Sequence, residues 1–281
     1  MSRVAFFIDA GYLFAQGSAA LTGASRPRSE TKLNESGVLA ELMAVAKAKC
    51  DGIRQLRTYW YDAPLGSGPT AQQVGLANTD HVKLRLGAIN GQGQQKGVDS
   101  LIVTDMIELA RNKSICDAVL LSGDEDVRIG VQIAQNYGIA VHLIGIHPAR
   151  GSQSPALRQE ADTNTEWDKD TVGKFLTIVA PLRAAPLTKE STSDKKQAPQ
   201  SRGDLEGAAA PIIDEFLGTF DSDMLSSLEQ YWESGAKGLP GDIDGPFIAR
   251  LRDVIGRQLQ PGEPRAARQQ FQASALRAIK R

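Results

Sequence analysis

Hydrophobic and polar positions alternate between two rhythms over the first two thirds of the chain. Residues 4–8 (Val-Ala-Phe-Phe-Ile) form an unbroken apolar run closed by Asp9 and Gly11. That pattern predicts a strand buried on both faces, as in parallel sheets covered by helices. Residues 35–49 place Val38, Leu39, Leu42, Met43, Val45 and Ala46 at helical spacing, and 53–61 return to β-rich composition, completing one βαβ step. The polar, Gly-rich stretch 63–68 leads to a weak helix near Gln72, a short strand at 84–89 and the loop 90–97, Asn-Gly-Gln-Gly-Gln-Gln-Lys-Gly. Such a loop is flexible enough to approach a substrate closely.

A helix over 98–111 follows, with Leu101, Ile102, Met106, Ile107 and Leu109 as its apolar stripe. Residues 117–121 predict the next buried strand. It runs into Ser122-Gly123-Asp124-Glu125-Asp126, where Asp124 suits the N-cap of a helix reaching about Tyr137 and stopped by Gly138. A fifth strand at 139–146 and a short helix at 155–161 complete the pattern. Strands alternating with helices predict a three-layer α/β/α sandwich with a mainly parallel five-stranded sheet over residues 1–180. Residues 184–210 shift to Pro, Ser, Thr, Lys, Gln, Gly and Ala, the composition of a flexible linker. Helical periodicity over 212–232 and 247–259, then 265–280, predicts a small helical domain over 211–281.

Composition narrows the function classes. The 281 residues are 41% hydrophobic with a net charge of −1, so a hold on nucleic acid must come from a local basic patch. Cys50 and Cys116 with His81, His142 and His147 sit at unrelated positions and predict neither a zinc cluster nor a disulfide framework. The histidines have no Ser or Cys partner at the spacing of a nucleophilic triad. The opening apolar run is too short for a signal-peptide core or a membrane span, so a protein of the reducing cytoplasm is expected, with no membrane association.

The chemistry should lie outside the C-terminal ends of the strands, where loops and helix N-termini converge. Asp9 follows the first strand, Asp124 and Asp126 follow the strand ending at Leu121, and Asp99 opens a helix after the Gly-rich loop. Taken singly, each is also explained as an N-cap or first-turn acid. Together, four carboxylates on one rim repel one another unless a cation joins them, and hard oxygen ligands suit Mg²⁺ or Mn²⁺ better than zinc. Asp105 lies six residues after Asp99, about 600° around an ideal helix, and points elsewhere. Ser122 with Gly123 offers a hydroxyl and amides to a phosphate, or simply a tight turn. Lys96, Arg85 and Lys83 are candidate backbone contacts, with solvated surface charge as the alternative. Tyr12 and Phe14 are candidates for base stacking or for core packing.

Read together, these residues resemble the NYN family of PIN-like nucleases, particularly its bacterial LabA-like branch. The matching segments are Phe6-Phe7-Ile8-Asp9-Ala10-Gly11-Tyr12-Leu13, Gln95-Lys96-Gly97-Val98-Asp99 with Val103-Thr104-Asp105-Met106, and Leu120-Leu121-Ser122-Gly123-Asp124-Glu125-Asp126. Ser154-Pro155-Ala156-Leu157-Arg158-Gln159-Glu160-Ala161-Asp162 looks like the closing segment of that branch. The resemblance covers about residues 1–170. It implies a divalent cation on Asp9, Asp99, Asp124 and Asp126, with Asp105 as a secondary ligand, and cleavage of RNA. Two departures stand out: Tyr12 where the family often has Asn, which removes a polar site residue, and Val127 where it commonly has Phe.

The reading expected from the sequence is therefore a Mg²⁺- or Mn²⁺-dependent ribonuclease acting on single-stranded RNA, with the helical tail available to a protein partner or a second copy. Two rivals are an inactive PIN-like module that binds RNA or protein, and a phosphatase-like hydrolase with Asp9 as nucleophile. The second rival requires an Asp two residues further on, where this chain has Gly11.

Overall fold

The computed structural model describes residues 2–50, 54–64, 68–89, 95–179 and 202–280, excepting the side chains of 88, 89, 95, 96, 202–204 and 223. Its elements run β1 (Arg3–Asp9), α1 (Ala10–Thr22), β2 (Thr31–Leu33), α2 (Glu35–Lys49), β3 (Arg54–Asp62), α3 (Ala71–Asn78), β4 (Val82–Leu86), β5 (Ala88–Ile89) and β6 (Gln95–Lys96). There follow α4 (Val98–Arg111), β7 (Asp117–Leu121), α5 (Arg128–Asn136), β8 (Ala140–Ile146), α6 (Ala149–Ser152), α7 (Pro155–Glu160), β9 (Thr163–Trp167), α8 (Lys169–Gly173) and β10 (Leu176–Ile178). The C-terminal helices are α9 (Arg202–Gly218), α10 (Ser222–Glu233), α11 (Gly241–Ile255) and α12 (Glu263–Ile279).

The main sheet has six strands in the order β4-β3-β1-β7-β8-β9, all paired in parallel. The sequence pattern predicts five. The extra strand is β9, whose Thr-Asn-Thr-Glu-Trp exposes alternate residues to solvent at a sheet edge and so lacks the apolar run of a central strand. β1 sits near the centre with Val4 through Ile8 fully buried. Its alternate residues feed two cores. Val4, Phe6 and Ile8 pack with Leu13, Phe14, Val38 and Leu42 of α1 and α2. Ala5 and Phe7 pack with Ile102 and Met106 of α4 and Val131 and Ala134 of α5. The three-layer α/β/α architecture follows, because a strand buried on both faces needs a helical layer on each.

The chain divides into two compact units: residues 1–63 with 76–181, and residues 64–75 with 182–281. Two boundaries expected from the sequence change. The α/β unit is discontinuous, since the loop after β3 groups with the helical unit, where Gly241 N donates to the Pro69 carbonyl at 3.4 Å. Thr70 and Gln73 cap the start of α3 reciprocally, Thr70 N to Gln73 Oε1 at 2.9 Å and Gln73 N to Thr70 Oγ1 at 3.1 Å, a capping box in which each side chain satisfies the other's amide. In addition, the expected linker 184–210 gives way to helix from Arg202, where Leu205 and Ala209 are buried beside Ile212 and Ile213. Small residues hid that apolar face. The part of the expected linker at 184–201 lies outside the described residues. In the helical unit Phe216, Phe220, Phe247 and Phe271 interlock edge-on or tilted, and Arg268 grips Asp244 with two hydrogen bonds of 2.6 and 2.8 Å.

Candidate active site

The C-terminal rim of the sheet is assembled from the turns after β1 and β7 and the first turn of α4. Asp9 ends β1 and caps α1, its Oδ1 accepting from Tyr12 N at 3.1 Å. Its other oxygen accepts from the Ser122 hydroxyl at 3.3 Å. The same hydroxyl accepts from Asp124 N at 3.3 Å, so Ser122 locks the turn after β7 to the turn after β1. Asp124 caps the 3₁₀ turn Glu125–Val127, accepting from Asp126 N at 2.9 Å. Asp99 is held in the first turn of α4 by Gly97, whose φ of 98° suits glycine.

The electrostatics show that these carboxylates feel one another. Asp9 is raised from 3.8 to about 6, chiefly by burial and further by the negative charge of Asp99, against hydrogen bonds from Tyr12, Ser122 and Gly11. Asp99 is raised by burial, then by Asp124 and Asp126. Asp124 and Asp126 are exposed, open to a ligand from solvent. Asp9, Asp99, Asp124 and Asp126 thus lie in one electrostatic neighbourhood with a solvent-facing side, a set of carboxylates that could hold a cation. The donor set, all carboxylate oxygen, fits Mg²⁺ or Mn²⁺.

Several residues expected at the rim take other places. Asp105 accepts from Tyr61 Oη and from Arg85 Nε, each at 3.0 Å, so its carboxylate is engaged in an ion pair with Arg85. Arg85, spent on Asp105 and lying 5.3 Å from the Tyr59 ring centroid, is likewise a packing residue of the β3–β4 edge. Tyr12 is 9% exposed. Its hydroxyl meets Ser152 Oγ at 3.0 Å and accepts from Ile146 N at 3.1 Å, which rules out base stacking. Phe14 is buried under the Arg28 guanidinium, 3.7 Å from its ring centroid. Ser122 is fully buried, so it positions the acids and does not meet a phosphate. Gly123 has a packing reason: a Cβ there would fall 2.4 Å from the Ser152 carbonyl and 2.5 Å from the Tyr12 ring. The Lys96 side chain lies outside the described residues, as does most of the loop 90–97. Lys83 is exposed on β4.

Other residues of the rim carry no sequence signal of their own. Gln153, 5% exposed, donates to the carbonyls of Ser122 at 2.8 Å and Ile144 at 3.0 Å and accepts from Arg158 at 3.0 Å. It ties the ends of β7 and β8. Asp62, which ends β3 beside Asp9, is a fifth acid of this edge, but Arg28 takes both its oxygens at 2.7 Å. Arg150, in α6 directly after β8, is exposed at the same edge. At the opposite, N-terminal end of the strands, Cys50, Asp117 and His142 bring one possible ligand atom each within 4.8 Å of one another. The separate positions of the cysteines and histidines in the sequence predict no such group; the parallel pairing of β7 with β8 creates it.

Residues 3–168 match the NYN domain family. The chain is also 50% identical over 204 residues to a Sinorhizobium fredii (strain NBRC 101917 / NGR234) protein named "Uncharacterized protein y4oD", a match covering 72% of this chain and 95% of the relative. Among the described residues no helix is long and apolar enough to cross a membrane. With a parallel α/β/α sandwich whose first strand ends in the carboxylate that anchors the rim, the chain belongs to the NYN domain family and has its PIN-like nuclease fold.

Proposed function

We propose that this chain is a divalent-metal-dependent ribonuclease that hydrolyses phosphodiester bonds of single-stranded RNA in the cytoplasm. The observation that carries the reading is the convergence of Asp9, Asp99, Asp124 and Asp126 at the strand ends, close enough that the charge of Asp99 acts on Asp9 and those of Asp124 and Asp126 act on Asp99. These four side chains would hold Mg²⁺ or Mn²⁺. When bound, the ion supplies a water of lowered pKa and neutralises charge on the phosphate and the leaving oxygen.

The chain's own residues do the rest. Ser122 and the Tyr12 amide fix both oxygens of Asp9, so that the buried ligand is pre-oriented. The backbone turn of Asp124 fixes its carboxylate relative to Asp126. Gln153 keeps the β7 and β8 ends from separating, and the Tyr12–Ser152 pair ties α1 to the end of β8, a rigid second layer of the kind that holds metal ligands in place. Arg150, exposed in the helix that follows β8, is the cation assigned in this reading to an RNA phosphate.

One further reading, a rim that binds RNA without cutting it, is favoured by Tyr12, whose hydroxyl turns inward to Ser152 and Ile146 and leaves the rim without a polar group there. A single experiment separates the two: incubation of labelled single-stranded RNA with the purified protein in Mn²⁺, Mg²⁺ or EDTA, beside Asp9→Asn. Cleavage that requires the metal and Asp9 is the expected result. Retained RNA binding with no turnover in any condition would install the binding reading instead.

A further inference from the structure

We propose that Cys50, Asp117 and His142 form a second metal site, selective for zinc-like cations and separate from the carboxylate rim. Asp117 opens β7 and Leu121 ends it, so about 13 Å of strand, at ~3.3 Å per residue, separates this group from the turn that carries Asp124. His142 lies on the adjacent strand, where Asp117 pairs with Ala140 and Val119 with His142. Residues two apart share a face, so Asp117 and His142 face the same layer, the one containing α2. Cys50 is the residue that ends α2. Three elements therefore deliver sulfur, oxygen and nitrogen to one point.

The chemistry differs from that of the rim. A thiolate and a carboxylate balance the two charges of Zn²⁺ while imidazole stays neutral, so the filled group is uncharged, as burial requires. Cys50 and His142 are both buried, at 7% and 4% exposure, and Asp117 is partly open, leaving an entry path. Tetrahedral zinc with bonds of about 2.0–2.3 Å places its ligand atoms about 3.3–3.8 Å apart, and the three donor atoms here already lie within 4.8 Å of one another. His142 is already oriented: Nδ1 lies 2.9 Å from Thr163 Oγ1 and Nε2 3.1 Å from Asp117 Oδ1. On binding, the proton that Nε2 donates to Asp117 leaves to solvent and Nε2 and Asp117 turn to the ion; the imidazole, still neutral, takes up its one proton on Nδ1 from solvent and donates it to the Thr163 hydroxyl, and the Cys50 thiol proton leaves to solvent. A water completes the fourth position.

The test is a cobalt titration of the purified full chain after chelator treatment, with zinc displacement. The expected result is one equivalent of Co²⁺ showing a thiolate-to-cobalt charge-transfer band and tetrahedral d–d absorption, bleached by Zn²⁺ and unaffected by excess Mg²⁺. Cys116→Ser keeps the band and Cys50→Ser abolishes it; Thr163→Val keeps the band but weakens binding about 10- to 100-fold. If Cys50→Ser does not fold, wild type and Cys116→Ser decide alone, because these are the two cysteines of the chain. Absence of the band in wild type, its loss in Cys116→Ser, or its persistence in a folded Cys50→Ser overturns the proposal.

Discussion

The two ends of the same parallel strands follow opposite rules. At the C-terminal rim, four acids of one sign are gathered, and the most buried of them, Asp9, is held well above its ordinary range. At the N-terminal end, Asp117 is bonded to His142, which is bonded to Thr163. The rim costs the fold stability that a bound cation would return; the other end is satisfied by its own hydrogen bonds. A like-charge cluster in a structure is thus informative because the fold does not need it, whereas a hydrogen-bonded His–Asp pair is explained by packing and earns a ligand only when a third donor such as Cys50 joins it. The donor atoms would also sort the ions, all-oxygen suiting hard cations at the rim and sulfur with nitrogen suiting borderline ones at the proposed second site.

The contrast is broken most severely at the rim itself. Asp9→Asn or Asp124→Asn is expected to lower RNA cleavage by more than about a hundredfold, beyond the loss typical of a residue that only supports a ligand, measured as turnover in saturating Mn²⁺. The same Asp9→Asn substitution should stabilise the metal-free protein. The folded carboxyl retains its proton up to about pH 6, while an unfolded one releases it near 3.8; the native state therefore binds more protons between those values, and stability falls as pH rises through them. Above that window the full cost is present, up to about 3 kcal/mol at roughly 1.4 kcal/mol per pH unit. Denaturant melts in EDTA at pH 7.5 and pH 4 check it: the gain should be present at the first and vanish towards the second, and Mg²⁺ should shrink it.

At the other end, Zn²⁺ at about 100 times its Kd is expected to raise stability by about 2.7 kcal/mol without activating cleavage; the paired measurements are a thermal melt and an RNA assay. Gly123→Ala should cost about 1–3 kcal/mol, the usual penalty of overpacking, because its Cβ meets backbone at 2.4 Å; urea denaturation reads it. The smallest effect belongs to Asp105→Asn. Its ion pair with Arg85 is partly exposed, with Arg85 at 39%, so the loss should be no more than about 1 kcal/mol and cleavage should stay within about threefold. A large loss of turnover there would return Asp105 to the metal site.

Much of the fold is legible in local pattern. Helices 35–49 and 98–111 and the strand 117–121 carry their periodicity or apolar run within one element and coincide with α2, α4 and β7. What local pattern conceals is of two kinds. β9 and the first half of α9 present few large apolar residues, because one lies at an edge and the other packs through alanine and leucine. The partners of polar side chains are concealed more deeply: nothing near Asp105 in the sequence announces Tyr61 and Arg85, 44 and 20 residues away, and nothing near Ser122 announces Asp9, 113 residues away.

The sequence by itself determined the alternation of strands and helices, the burial of β1 on both faces, and the placing of Asp9, Asp99, Asp124 and Asp126 at element boundaries, since those depend on periodicity, capping and turn chemistry within a few residues. Only the tertiary structure decided which acids share a field and which are neutralised by arginine, that Tyr12 and Ser122 brace the rim from within, and that Cys50, Asp117 and His142 meet at its far end. Those outcomes depend on strand order and register, which bring together residues that the chain keeps far apart.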